Sequence, residues 1–328
     1  MKRVYFTVFL AGATAAHAAD ISGLSRPLRP VHTYSIVCYD STTGQFGAAV
    51  QSHWFKVSDV IWLEPGVGAV ATQSLVEFSY GPLGLAMMKN GKSARQALAG
   101  LLASDSANAV RQVAMIDRHG IVATHTGSRC IAEAGHHVGK FYSCQANLMR
   151  NATVWDAMAK AFEQTTGDLA DRMMAALEAA QKEGGDIRGM QSAAMVVVSG
   201  TPTGMPWRDR IVDIRVDDSP QPLAELRRLL DITRAYDLMN KGDELAAVAK
   251  LDDAARAYAD ASRLAPGNLE VQFWNAVGLV TNGQLERALP LFKEIFAKDD
   301  SWRTLVPRLV KSELLPNDSA TITRIISQ

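Results

Sequence analysis

The stretch from His32 to Trp54 constrains this chain more tightly than any other. It reads HTYSIVCYDSTTGQFGAAVQSHW, two arms with the period-two pattern of a half-buried strand around a short polar centre. Thr33, Ser35, Val37 and Tyr39 fall on one face, and Tyr34, Ile36 and Cys38 on the other. Asp40 to Gly44 is polar and ends in Gly, which predicts an antiparallel hairpin. The first arm opens on a hydroxyl, Thr33, followed one pleat later by another, Ser35. A chain cut just before Thr33 would give that residue both a hydroxyl nucleophile and a free amine to serve as its base.

Downstream, Val57 to Leu63 and Val67 to Ser74 are strand candidates, the second rich in Gly and Ala where something packs closely. Apolar residues between Pro82 and Leu102 recur at helical spacing with a break at Asn90-Gly91, so two helices are expected, the second capped by Ser93. Arg111 to Asp117 and Ile121 to Thr126 flank Arg118-His119-Gly120 as a hairpin. Thr153 to Phe162 and Leu169 to Gln181 are helix-periodic, with Gly184-Gly185 as the stop. Ser192 to Ser199 and Arg210 to Val216 complete the strands. Strands, two helices, strands, two helices and strands in succession favour sheets with helices layered outside them over a doubly wound parallel sheet.

Ahead of this region, Lys2 and Arg3 precede a short apolar run to Ala13, and Ala16-His17-Ala18 has the small-residue spacing of a cleavage site. Residues 1–19 are therefore expected to be a signal peptide and 20–32, with Pro27 and Pro30, a linker or pro-segment. The mature protein is expected to be periplasmic or secreted, with no membrane span after cleavage. Thirty-four basic residues balance thirty-four acidic ones, so no global field points to nucleic acid. The oxidising address permits disulfides, and Cys130 and Cys144 flank a Gly- and His-containing turn, so either a bridge between them or three buried thiols fits. No cysteine or histidine has metal-ligand spacing, and His136-His137 is expected in a solvated turn; neither a metal nor a cofactor is called for.

Past Pro220 and Pro222 the chain turns all-helical and repeats. A shift of 34 residues places Leu251 on Leu285, Ala254 on Ala288 and Tyr258 on Phe292, with Leu264-Ala265-Pro266 closing the first unit. This is the tetratricopeptide period. Two such units need caps, expected from Leu223 to Met239 and from Trp302 to Leu314. Phe273, Trp274 and Phe292 are expected inside the repeat, and the module over 223–328 is expected to be separate from a domain over 33–218. It would recruit a protein partner or make a homo-oligomer.

Thr33-Tyr34-Ser35-Ile36-Val37, Gly68 to Gln73, Ser79-Tyr80-Gly81, Thr126 to Cys130 and Gly184 to Ser192 occur together and in order. On these motifs the region from Thr33 to Val216 resembles the domain-of-unknown-function 1028 family, grouped with the N-terminal-nucleophile (Ntn) hydrolases. The resemblance implies an α+β fold, an αββα sandwich of two stacked sheets between helix layers, and carries no established substrate. The chain departs from the family pattern at Gln145-Ala146-Asn147, where Gln-Gly-Asn is usual, and at Glu77-Phe78, where Asn-Pro is usual. Its tail is tetratricopeptide-like rather than the peptidoglycan-binding-like tail of some members.

The candidate catalytic residues are Thr33, as nucleophile with its own α-amine as base, and Asn147 and Thr72, as donors to developing negative charge. Each also has a plain reading, as a strand-opening residue or a turn amide. Gln73, Ser52, Asp186 and Arg188 are candidate substrate contacts, Arg188 offering a planar fork and Asp186 an acceptor. An ion pair that orients the loop before Gln191 fits those last two equally well. Two functions follow: hydrolysis of an amide bond in a small-molecule or peptide-like substrate, or non-catalytic binding by the same fold with a protein-interaction tail.

Overall fold

The computed structural model of the chain describes residues 33–328, so the expected signal peptide and linker lie outside the described residues. The first hairpin forms as its alternation requires. β1 (Thr33–Tyr39) pairs antiparallel with β2 (Phe46–Ser52), Thr33 opposite Ser52 and Tyr39 opposite Phe46. In the turn the Asp40 carboxylate accepts the Thr42 N–H at 2.8 Å and the Thr43 hydroxyl at 3.0 Å, and Gly44 takes the left-handed conformation that closes it.

The strand expected from Val57 starts four residues late. Val57–Val60 form a single 3-10 turn, because Lys56 is left-handed and the Ser192 hydroxyl accepts the Val57 N–H at 3.1 Å; β3 follows as Ile61–Glu64. β4 is Gly68–Ser74, α1 Tyr80–Lys89 and α2 Ala94–Ser104, the last closed at its start by a reciprocal capping box between Ser93 and Gln96. β5 (Arg111–Asp117) and β6 (Val122–Thr126) make the second hairpin. β7 (Gly135–Gly139) and β8 (Tyr142–Ala146) make a third, so His136 and His137 stand on a strand rather than in a turn. Glycines at both ends of β7 hide it from a propensity reading, and pairing with the buried β8 creates it. α3 is Val154–Gln164 and α4 Leu169–Lys182, followed by Gly184 and Gly185 at positive φ; β9 (Ser192–Val198), the short α5 (Pro206–Asp209) and β10 (Arg210–Val216) close the region.

Two antiparallel sheets result, one in the order β10-β9-β2-β1-β8-β7 and one in the order β3-β4-β5-β6. Their facing sides bury Val37, Ala48, Val50, Ala69, Ala114, Ile116 and Val196 in one cluster, so the sheets stack on each other. The outer side of the larger sheet, with Tyr34, Ile36, Cys38 and Met195, packs under α3 and α4. The outer side of the smaller, with Val70, Val113 and Met115, packs under α1 and α2. The observed order of layers is helices, sheet, sheet, helices. α1 comes close to its sheet through glycines: a Cβ on Gly81 would stand 2.1 Å from the Trp62 ring, and one on Gly84 would stand 2.8 Å from Met115.

Six helices follow: α6 (Pro222–Ala247), α7 (Leu251–Leu264), α8 (Leu269–Thr281), α9 (Leu285–Lys298), α10 (Ser301–Lys311) and α11 (Ser319–Ile326). α7 and α9 are each 14 residues long and bury equivalent positions: Ala254 and Ala288, Tyr258 and Phe292, Ala261 and Ile295. Phe273 and Phe292 are fully buried with ring centroids 5.7 Å apart, while Trp274 is half-buried between two clusters.

The boundary expected near Leu223 is not a boundary. The first half of α6 buries Leu223, Leu226 and Leu230 in the same cluster as α3, α4 and the larger sheet, and its second half buries Ala235 and Met239 against α7 and α8. Arg227 and Arg234 fix this packing with ion pairs to Glu178 at 2.9 Å, Asp168 at 2.7 Å and Asp171 at 2.9 Å. One continuous helix serves both cores.

Candidate functional site

Alternation along β1 aims Thr33 and Ser35 inward, between the sheets, at the end of the sandwich where β1 begins and β2 and β4 finish. Every strand that reaches this end contributes a polar side chain inward, where the opposite end is apolar. Gln73 of β4 is the hub. Its Oε1 accepts the Ser35 hydroxyl at 2.6 Å, and its Nε2 donates to the Thr33 carbonyl at 3.0 Å, to Gln112 Oε1 at 2.7 Å and to the Gln145 carbonyl at 3.3 Å. Gln145 donates in turn to Ser35 Oγ at 2.6 Å and accepts from Ser143 at 3.0 Å. Asn147 lies at the end of β8. Its backbone N–H reaches the Thr33 carbonyl at 3.1 Å, and its Nδ2 reaches Gln112 Oε1 at 3.0 Å and the Thr33 carbonyl at 3.5 Å.

All of these side chains are buried, and Thr33 has no exposed surface. The set is neutral, built from amides and hydroxyls, so it presents fixed dipoles without a charge to neutralise. Its chemical capacity is to hold the carbonyl of Thr33 rigidly between two sheets and to offer amide N–H groups to an oxygen that gains charge nearby. Among the described residues no group of three His, Cys, Asp or Glu side chains converges on a point that would hold a metal ion.

Of the residues singled out from sequence, Thr33, Gln73 and Asn147 meet. Thr72 does not meet them. It is one residue from Gln73 on the same strand and pairs with Val113, so its side chain lies with Val70 and Val113 on the face covered by α1 and α2. A role for Thr72 in charge stabilisation at Thr33 is corrected on that geometry. Ser52 is buried directly across from Thr33.

Asp186 and Arg188 lie at the same end of the molecule but on the helix-covered side of the larger sheet. Asp186 Oδ2 accepts the His53 N–H at 3.2 Å and Arg188 Nη2 at 2.7 Å; Oδ1 accepts the Arg188 N–H at 2.9 Å and Nε at 3.1 Å. The carboxylate thus ties the 184–191 loop to the end of β2, the orienting role that the sequence left open for this pair. Burial, and then the negative charge of Asp186, push the Tyr34 phenol above its ordinary range, so it stays a neutral donor to Gln181 at 3.1 Å.

Ser35, the second hydroxyl of the first arm, completes the site with Gln112, Gln145 and Ser143, three residues that were not among the candidates read from the sequence. Their signal was present as polar residues at inward positions of otherwise apolar strands, RQVAMID for β5 and YSCQA for β8. The three cysteines are free thiols. Cys38 and Cys144 are buried on the helix side of adjacent strands, and Cys130 donates to the Arg111 carbonyl at 3.4 Å in a loop.

The family model described as "Family of unknown function (DUF1028)" matches residues 33–226, more than half of the chain. A crystal structure of protein SPO2555 from Silicibacter pomeroyi, described with the same family, superposes with a TM-score of 0.55 at 28% identity, covering 61% of this chain and 84% of that one. No curated protein matches the chain.

Proposed function

Because the chain belongs to DUF1028, a family of unknown function, its activity has to be argued from its own site, and we propose that it is an N-terminal-nucleophile hydrolase of amide bonds. The observation that carries this reading is the placement of Thr33. It heads the central hairpin, faces inward, and has its carbonyl held by Gln73 from one sheet and Asn147 from the other. The layered fold supports the same reading, as does the rigid set of neutral donors beside the nucleophile.

In the proposed reaction the His32–Thr33 bond is first broken. The Thr33 hydroxyl attacks the carbonyl of His32 and the acyl group shifts from nitrogen to oxygen, which breaks the C–N bond and frees the α-amine; water then hydrolyses the ester, releasing the Thr33 hydroxyl and the carboxylate of His32. On a substrate, the Thr33 Oγ attacks the amide carbonyl while the α-amine takes its proton; that amine has a reference pKa of about 7.7 to 8.0. The oxyanion gains an N–H donor from Asn147, whose Nδ2 gives up its long 3.5 Å contact with the Thr33 carbonyl to make it, a type of contact worth about 10²- to 10³-fold in rate. The C–N bond breaks as the leaving amine takes the proton back, and water activated by the same α-amine frees the acyl product. The proposed setting is the periplasm or cell exterior, with residues 1–19 removed on export. The proposed role of the helical tail, as a tetratricopeptide-like module, is contact with a protein partner or a second copy.

Intact mass and N-terminal sequencing of the exported protein test the reading directly. A chain beginning at Thr33, whose amide hydrolysis is lost in Thr33→Ala, supports it. A chain that begins near Asp20 favours the non-catalytic binding module, which the complete burial of Thr33 also fits. Hydrolysis that survives Thr33→Ala sinks both.

A further inference from the structure

The polar side chains between the sheets form two facing rows. Pairing across the larger sheet sets Ser35 of β1 beside Gln145 of β8, and Gln145 beside His136 of β7. Pairing across the smaller sets Gln73 of β4 beside Gln112 of β5, and Gln112 beside Thr126 of β6. Hydrogen bonds join the rows at both ends, Ser35 to Gln73 at 2.6 Å and Thr126 to His136 Nδ1 at 2.8 Å. The first junction is buried beside Thr33, and the second lies between the edge strands β6 and β7, where His136 is exposed. Of these six side chains only His136 titrates near neutral pH.

The donors between the two ends run one way. Gln112 Nε2 donates to the carbonyls of Ala146 at 2.9 Å and Gly135 at 3.1 Å, which fixes the orientation of its amide, and to Thr126 Oγ1 at 2.9 Å. The Thr126 hydroxyl then gives its single hydrogen to His136 Nδ1, which assigns the neutral ring its proton on Nε2. At the inner end Gln112 Oε1 accepts Gln73 Nε2 at 2.7 Å and one hydrogen of Asn147 Nδ2 at 3.0 Å. That bond aims the other hydrogen at the Thr33 carbonyl, the contact that the oxyanion takes over in the proposed reaction.

A proton on Nδ1 would turn a third donor toward Thr126 and set a positive charge beside the Gln112 amide hydrogens, so the order could not persist. The titratable and charged groups around His136 are His125 on β6, bonded to the Asn108 carbonyl, His137 on the other face of β7, bonded to Asp156 of α3, and Arg129, Cys130 and Glu133 in the loop between β6 and β7. β5 and β8 present it with the neutral Gln112 and Gln145. Partial burial, then His125 and His137, lower the His136 pKa from the ordinary histidine value, in keeping with a neutral ring.

We infer that His136 is a positioning residue for the reaction at Thr33: its neutral ring orders Thr126, Gln112 and Asn147 so that the Asn147 amide is held ready for the oxyanion, and protonation loosens that hold. The inference rests on the amide-hydrolase reading of Thr33 and adds to it a control point at the exposed edge of the sandwich.

Rates of acetyl p-nitroanilide hydrolysis by the exported full chain between pH 5 and pH 9 give the activity readout. Protonation of the α-amine by itself lowers the rate tenfold per pH unit below about 7.7. The parent should lose roughly a further two- to tenfold in kcat, the worth of one hydrogen bond, as His136 protonates at a pH below about 6.5. His136→Ala should show that loss at every pH. His136→Asn, whose Oδ1 replaces Nδ1 as acceptor, should recover the rate and lack the acid step. A step that persists in His136→Asn, or equal rates in His136→Ala and the parent, overturns the inference.

Side-chain amide signals followed by NMR give a readout independent of turnover, and decide the point even where no hydrolysis occurs and the enzyme reading fails. The Gln112 and Asn147 NH₂ signals should shift with the midpoint of the His136 ring protons. That titration should vanish in His136→Asn and in Thr126→Val, which keeps the branched shape and removes the hydroxyl. Amide signals that ignore the His136 midpoint, or still follow it without the Thr126 hydroxyl, overturn the inference.

Discussion

Leu226→Ala in the full chain tests whether α6 belongs to the layered region or to the helical tail. Leu226 is fully buried, in a cluster with Met173, Met174, Leu177, Met195 and Val216. Truncating a leucine in such a site removes its transfer free energy and leaves a cavity that neighbours on α4 and β9 close only in part, a loss of about 3 kcal/mol within the usual range of roughly 2.7 to 5. The ion pairs of Arg227 with Glu178 and of Arg234 with Asp168 survive the change. They are partly exposed, with a typical worth of about 0 to 1 kcal/mol each, so they do not compensate. Hydrogen exchange followed by mass spectrometry localises the effect. At about 1.4 kcal/mol per decade, the slowest amides of α4, β9 and β2 should exchange about a hundredfold faster than in the parent protein. Unchanged exchange in those elements, with acceleration confined to α7, α8 and α9, would show that α6 is only a cap of the tail and refute the shared-helix reasoning.

Gly81→Ala should lower the Tm by several degrees, because its Cβ would stand 2.1 Å from the Trp62 ring and force α1 away from β3 and β4; overpacking of this kind costs about 1 to 3 kcal/mol. Alkylation of the native protein with iodoacetamide should label Cys130 first, since it is half-exposed, while Cys38 and Cys144 react only on unfolding. Burial raises all three thiols, and the charge of Cys38 adds to the effect at Cys144, so peptide mapping against denaturant should find one early and two late labels. For Asp105, burial raises the carboxyl, but the hydrogen bond from Arg111 at 2.7 Å, the Ala107 N–H, the Arg111 charge and the Tyr80 hydroxyl together outweigh it, so the folded pKa is lowered. A depressed folded pKa gives stability that is present above the unfolded value of about 3.9 and lost as the pH falls through the folded one. Urea melts at pH 6 and pH 3 should therefore show a smaller acid-induced loss in Asp105→Asn than in the parent chain.

Local rules placed much of this molecule before any contact was known. Period-two alternation put Thr33 and Tyr34 on opposite sides of β1, the Ser93 cap and the Asn90-Gly91 break set α1 and α2, and the shift of 34 residues registered α7 on α9. These are properties of a single strand, turn or helix, and the side chains that decide them are neighbours in sequence.

What the chain alone left open depends on which surfaces meet. β7 exists because β8 offers it a paired edge, and its own residues have little strand preference. Thr72 and Gln73 are chemically comparable site candidates in a line of sequence. Stacking of the sheets decides that Gln73 meets Thr33 and that Thr72 faces α1 and α2. Gln112 and Gln145 come together only when β5 and β8 are brought opposite each other, where unsatisfied amides would be costly and hydrogen bonds to Gln73, the Ala146 carbonyl and Ser35 make them a fixed polar floor. The two prolines near 220 mark a change of composition and not a change of core, since the leucines of α6 find their partners more than forty residues back along the chain, on α4. Sequence determines the periodicities; the packing of distant surfaces decides which polar residues become a site.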